Sequence, residues 1–173
     1  MENDKYFFMG ASTADGFVGF YNSIVDMYDL KKLYILKGGS GIGKSTFIRK
    51  FAEAFTHSKD FLVCAGDPNS LDGVIIPALG VGIIDGTHPH PVDPIYPGVV
   101  DEIINLGEYI GSVKVDKQTL RQLSQKKAEH YKKATEHLNA AREVHHEIES
   151  FYKDAVDFES IQKVLVQLVN NHL

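Results

Sequence analysis

The segment Gly38-Gly39-Ser40-Gly41-Ile42-Gly43-Lys44-Ser45 constrains this chain more than any other stretch. Its spacing is G-x-x-x-x-G-K-[ST], the phosphate-binding loop known as Walker A. The motif has meaning only between a strand and a helix, and both are legible here. The apolar run Leu33-Tyr34-Ile35-Leu36 leads in, and a periodic segment leads out, with Phe47, Ile48, Phe51, Ala52 and Phe55 on one face of a helix spanning roughly 44–55. Glycines permit the positive φ values that turn successive backbone N–H groups toward a polyphosphate. The expected binding residues are therefore Gly38, Gly39, Ser40, Gly41, Ile42, Gly43, Lys44, Ser45 and Thr46. Lys44 would reach the β- and γ-phosphates, and the Ser45 hydroxyl would ligate Mg²⁺. The helix would point the positive end of its dipole at the same anion.

Further along, Phe61-Leu62-Val63-Cys64-Ala65 has the character of a buried parallel strand, followed by the carboxylate-bearing segment 66–73, expected to be a loop. Val81-Gly82-Ile83-Ile84-Asp85 is an apolar run closed by an aspartate, a Walker B-like pattern that would bring Asp85 to Mg²⁺ beside Lys44. Asp67 or Asp72 would orient or deprotonate the attacking group. The proline-rich stretch Gly86–Gly98 excludes a regular element. Its His88, His90 and Asp93 lack zinc spacing, and the histidines fit best as loop residues near the phosphate site. Gly10–Gly16 reads as a turn, Phe20–Tyr28 as a short helix and Val99–Tyr109 as another, with Ile110–Val115 as a bridge.

Charge divides the chain. Met1 to Asp116 carries 15 acidic against 9 basic residues, whereas Lys117 to Ala155 carries 6 against 8. With a net charge of −5, general nucleic-acid binding by phosphate neutralisation is not expected. One cysteine, Cys64, excludes an internal disulfide, and charges interrupt every apolar run, so no membrane span is expected and the cytoplasm is the default location.

From Asp116 onward glycine and proline vanish. Leu120, Tyr131, Ala134, Leu138, Ala141, Ile148, Tyr152 and Ala155 follow a 3–4 spacing, the narrow seam of a helix that packs in a coiled coil or helical hairpin. A bend near Asp157 precedes a second amphipathic helix with Ile161, Val164, Leu165, Leu168 and Val169. The expected organisation is a nucleotide-binding core over 1–115 and a helical appendage over 116–173, whose last helix could pack back on the core. The fold class expected is a P-loop NTPase-type three-layer α/β/α arrangement with a mostly parallel sheet. Only three or four strands are legible where a sheet has four to six, so the chain is either part of a longer protein or completes its core with a partner.

The loop, together with Asp67-Pro68-Asn69-Ser70-Leu71-Asp72-Gly73-Val74-Ile75-Ile76-Pro77 and Asp85-Gly86-Thr87-His88-Pro89-His90, resembles a family of bacterial P-loop proteins described as ATPases or nucleotide kinase-like, whose members carry two tandem modules. The resemblance, to the first module, implies a nucleotide fold and leaves the reaction open. Residues and resemblance together lead to Mg-dependent hydrolysis of ATP or another NTP, or phosphoryl transfer to a small acceptor, with Lys44, Asp67 and Asp85 as catalytic groups and Ser45 and Asp85 on the metal. Asp85 is followed by glycine, not the glutamate of motor-type ATPases, which favours a kinase-like arrangement. The alternative is a nucleotide-dependent switch whose arm dimerises, recruits a partner or meets a second P-loop module.

Overall fold

In the computed structural model, which describes residues 4–112 and 116–172, eight strands and four α-helices follow one another. They are β1 (Lys5–Phe8), β2 (Gly10–Thr13), β3 (Gly16–Gly19), α1 (Ile24–Tyr28), β4 (Lys32–Lys37), α2 (Lys44–Glu53), β5 (Asp60–Cys64), β6 (Asp67–Ile76), β7 (Val81–Asp85), β8 (Asp101–Asn105), α3 (Lys117–Lys153) and α4 (Phe158–Asn170). Six strands form one sheet in the order β1-β5-β6-β7-β4-β8, and β2 pairs with β3 in a separate hairpin. The architecture is α/β with a long helical extension.

Two-residue alternation builds a core on each face of the sheet. Leu33, Ile35, Leu62, Ile75 and Ile84 face one side, where Met9, Tyr21, Ile24, Val25 and Val92 cover them. Leu36, Phe61, Val74 and Ile83 face the other, under Ile48 and Ala52 of α2. One cover is thus a regular helix. The other is made of the short α1, the residues around it and the proline-rich loop, not of the full helical layer that the sequence suggests.

The sheet is mixed, which corrects the expectation of a mostly parallel one. β1–β5, β7–β4 and β4–β8 are parallel pairs, but β6 runs antiparallel to both neighbours. Chain length explains the reversal. Two residues, Ala65 and Gly66, join β5 to β6, and Pro77–Gly80 join β6 to β7. A parallel crossover needs a dozen or more residues, so both connections can only fold back. Segment 66–73 is consequently strand for most of its length, with register shifts at Leu62/Val63 and Val63/Cys64 absorbing its turn-forming residues.

Two more expectations change. Gly10–Gly16 belongs to the β2–β3 hairpin: Asp15 N donates to Thr13 Oγ1, the Thr13 hydroxyl donates to the Gly16 carbonyl, and Gly16 has φ 99°. A Cβ at Gly10 would lie 2.4 Å from Phe17 Cζ, so glycine makes room for that ring. Val99–Tyr109 holds β8 and a 3₁₀ turn (Leu106–Tyr109) in place of a helix, because Asp101–Asn105 extends the free edge of β4. The end of the Ile110–Val115 bridge, 113–115, lies outside the described residues.

Asp116 caps α3 by accepting from Thr119 N, and Asp157 caps α4 by accepting from Ser160 N. Neither helix contains a buried residue. Arg142 holds α3 to the hairpin through a 2.8 Å ion pair with Asp15. The apolar positions of α4, Ile161, Leu165 and Leu168 among them, remain about half exposed, so α4 does not pack back on the core. Among the described residues no helix is long and apolar enough to cross a membrane. Core and arm should therefore respond differently to substitution. Ile35→Ala, at a fully buried position, should cost about 2–5 kcal/mol in urea unfolding, while Leu165→Asp should change stability by no more than about 0.5 kcal/mol.

Candidate phosphate-binding site

The loop between β4 and α2 has the backbone its sequence calls for. Gly38, Gly41 and Gly43 have φ of 148°, 80° and 92°, in the region that favours glycine. Gly43 is the N-cap of α2. Helix geometry leaves the first amides of α2 without intrahelical acceptors, and they open onto a cleft. That cleft, of about 410 Å³, is lined by Ser40, Gly41, Gly43, Lys44, Ser45 and Thr46 on the loop side and by Cys64, Asp67, Asp72 and Asp85 on the strand side. The other expected loop residues support it from behind. Gly38 and Gly39 offer their carbonyls to Lys44, and the Ile42 side chain packs where a Cβ on Gly38 would otherwise stand.

Lys44 is nearly buried. Its Nζ donates to the Gly38 and Gly39 carbonyls at 2.9 Å each and lies 3.6 Å from Asp85 Oδ2. Register brings the aspartate there: β7 pairs with β4 so that Asp85 stands opposite Leu36, at the entrance to the loop. Asp85 Oδ1 accepts from the Thr87 amide at 2.9 Å and the Thr87 hydroxyl at 2.6 Å, which leaves Oδ2 toward Lys44. Ser45 Oγ accepts from Leu71 N at 2.9 Å, tying the loop helix to β6. Lys37, one residue beyond Leu36, donates to the Gly86 and Val92 carbonyls and so pins the proline-rich loop to β4.

The two remaining carboxylates differ. Asp67 is exposed on the rim, and its oxygens accept from Ser70 Oγ at 2.7 Å and Asn69 N at 3.1 Å. Those bonds, Ser70 foremost, lower its pKa. Asp72 is buried on the floor of the cleft. Its Oδ2 accepts from Tyr21 OH at 2.8 Å and faces His90 Nε2 at 3.1 Å. The His90 ring stacks on Tyr21 with centroids 4.4 Å apart, and its Nδ1 lies 3.0 Å from the Asp85 carbonyl oxygen. Both ring nitrogens therefore face acceptors, the arrangement that an imidazolium satisfies.

Electrostatics agree with that geometry. Burial pushes the Asp72 carboxyl up, but the hydrogen bond and charge of His90, with the bond from Tyr21, outweigh it and hold the pKa below the usual value. Burial pushes His90 down, and the bond and charge of Asp72 outweigh it in turn and raise it. Burial and the neighbouring Asp72 raise the Tyr21 phenol. The Cys64 thiol is raised mainly by burial, which suits a structural role.

Tyr21 and Thr87 were not singled out by sequence reasoning. Thr87 could have been, because Asp-x-Thr is a local turn signature in which the carboxylate accepts from the residue two positions on. Nothing in the sequence points to Tyr21, which reaches Asp72 across 51 residues. Arg49 donates to the Asn69 carbonyl and is structural. Arg121 is exposed on α3, and His88 is exposed in the proline-rich loop.

Comparison with models of known protein families, with curated proteins and with solved structures finds no match. What the site can do is therefore read from its own residues. Among the described residues no group of three or more His, Cys, Asp and Glu gathers as a metal cage. The oxygen donors Ser45 and Asp85 suit Mg²⁺ all the same, since that ion takes one or two protein ligands and fills the rest of its shell with water and substrate phosphates.

The Asp72–His90 pair gives a pH signature. His90 is raised, so its contribution to stability is complete below its ordinary value near 6.5 and is lost as pH rises through the raised folded value. Asp72 is lowered, so its contribution is present above about 3.8 and is lost as pH falls through the lowered folded value. Chemical denaturation across this range should show stability falling as pH rises above about 6.5, and Asp72→Asn should flatten that decline.

Proposed function

We propose that this chain binds ATP or another nucleoside triphosphate with Mg²⁺ and transfers the γ-phosphoryl group to water or to a small hydroxyl-bearing acceptor. The convergence of Lys44, Ser45 and Asp85 on one cleft, beside a glycine loop at a helix N-terminus, carries this reading. It agrees with the ATPase and nucleotide kinase-like family whose motifs the chain resembles.

The loop amides and Lys44 hold the β- and γ-phosphates, Lys44 exchanging its carbonyl partners for phosphate oxygens. Ser45 and Asp85 would hold Mg²⁺, which would supply charge neutralisation at the phosphates. The acceptor oxygen forms its bond to the γ-phosphorus as the bond to the bridging oxygen breaks, and the nucleoside diphosphate leaves with the electron pair. The acceptor proton passes to a carboxylate or to water. Asp67 and Asp72 each have two hydrogen-bond partners, but those of Asp67 engage one oxygen each, whereas Tyr21 and His90 both meet Asp72 at Oδ2, so Asp72 suits this side better. A carboxylate held ionised serves to orient the acceptor hydroxyl, which a loose transition state needs more than early deprotonation.

A second reading is a nucleotide-dependent switch whose arm dimerises, recruits a partner or meets a second P-loop module. One observation favours it: α3 is bonded to the β2–β3 hairpin through Asp15, and Phe17 of that hairpin lies 5.7 Å from the His90 ring. Slow turnover with nucleotide-dependent self-association would support it over transfer to a small acceptor.

Lys44→Ala should abolish the thermal shift produced by Mg-ATP while leaving the fold intact. At about one hundred times its dissociation constant a ligand stabilises by about 2.7 kcal/mol, about 5–10 °C for a domain of this size. An unchanged shift in the variant would refute the loop as the phosphate site. Asp85→Asn should weaken Mg²⁺-dependent affinity more than metal-free affinity. In an assay of ADP formation, Asp72→Asn should lower kcat more than Asp67→Asn does, and the reverse order would exchange the two assignments.

A further inference from the structure

Asp72 and Asp85 come from different strands, yet one side chain touches both. β6 and β7 pair with Gly73 opposite Ile84, so the two aspartates stand one residue further on, at the same end of neighbouring strands. Like charges so placed repel, and nothing in the strand pairing itself fixes the directions of their side chains. His90 enters this gap from the loop after β7, with Nε2 at 3.1 Å from Asp72 Oδ2 and Nδ1 at 3.0 Å from the Asp85 carbonyl oxygen.

Its own orientation is over-determined. Tyr21 stacks on one side of the imidazole, the Phe17 ring lies 5.7 Å away, and Lys37 anchors the loop at the Gly86 and Val92 carbonyls. The ring is buried and does not line the cleft, whereas Asp72 and Asp85 both do.

We propose that His90 is a positioning residue that ties the metal side of the site, Asp85, to the nucleophile side, Asp72, and holds both in register beneath the phosphates. Through Nδ1 it fixes the backbone that carries Asp85. Through Nε2, together with the Tyr21 hydroxyl, it fixes the carboxylate that orients the acceptor. This role rests on the phosphoryl-transfer reading, and it adds a residue that touches neither nucleotide nor metal.

The two ring nitrogens can be tested separately, because an asparagine amide superposes on Nδ1 and a glutamine amide reaches the place of Nε2. His90→Asn keeps the link to Asp85 and loses the link to Asp72. It should retain the parent's Mg²⁺ requirement and KM for Mg-ATP within about twofold, with kcat lowered at least about tenfold. His90→Gln keeps the link to Asp72 and loses the one to Asp85, so the Mg²⁺ concentration for half-maximal activity should rise at least about fivefold with a smaller loss of kcat. His90→Ala should show both defects. A packing role alone would lower the melting temperature of all three variants with no split between kcat and Mg²⁺ dependence, and that result, or the opposite split, overturns the proposal. The parent protein separates this failure from a wider one. If the parent shows neither a Mg-ATP thermal shift nor ADP formation, the phosphoryl-transfer reading itself fails, and the inference fails with it.

Discussion

The parallel pairing of β4 with β7 is the constraint on which the site depends. It sets Asp85 opposite Leu36, so the carboxylate arrives where the glycine loop departs, 3.6 Å from Lys44. Neither residue could do this from its own element. Lys44 lies in the first turn of α2, and it points back across the loop only because Gly38 and Gly39 turn their carbonyls toward its ammonium. A one-residue slip of β7 would turn Ile83 and Ile84 onto the wrong faces of the sheet. The two cores that sandwich β4 and β7 therefore fix the register, and with it the site. Packing on both faces of the sheet and chemistry at its end are one problem solved together.

Much of that was legible in the sequence, for identifiable reasons. The loop, its entering strand and its leaving helix share an unbroken local signature, and Asp85 closes an apolar run of strand length. Connection length was legible too but outweighed by composition. Ala65-Gly66 and Pro77–Gly80 are too short for crossovers, yet the turn formers of Asp67-Pro68-Asn69-Ser70 suggested a loop where β6 begins. The strand β8 is hidden in the sequence for another reason. Val99, Val100, Ile103 and Ile104 fit a helical face as well as a short edge strand, and what decides is the free edge of β4, a tertiary fact. The Tyr21–Asp72–His90 cluster was illegible for the same reason: it joins residues from three separate parts of the chain, and none has a local pattern that names its partners.

The helical region shows the limit of periodicity from the other side. Its caps at Asp116 and Asp157 were readable because a capping aspartate acts within three residues. The 3–4 seam says that Leu138 and Ile148 share a stripe but not what lies opposite. In the structure Leu138 sits beside the hairpin, near Ser12 and Phe17, while Ile148 remains half exposed further along α3. α3 therefore meets the core through a small polar and aromatic patch with one ion pair at its edge, not through its whole seam. An exposed ion pair contributes at most about 1 kcal/mol, so the Arg142–Asp15 bond alone gives the arm little hold on the core.

Charge explains why the cleft is built with so many bonds behind its carboxylates. Asp67, Asp72 and Asp85 line it, and Lys44 is the one cation among the lining residues, so a polyphosphate entering alone meets an adverse field. Each carboxylate is partly neutralised from its outer side: Asp85 by Thr87, Asp67 by Ser70 and Asn69, and Asp72 by Tyr21 and His90. That bonding aims the carboxylates, but it cannot reverse their sign. A divalent cation between Asp85 and the phosphates would supply the missing charge at the point where the field is worst, beside Lys44 and Ser45. The same argument separates the two strand aspartates. Under the proposed function, Asp85 would be matched by the ion and Lys44 on the cleft side, while Asp72, bonded at its back by Tyr21 and His90, would be left to accept from a hydroxyl group.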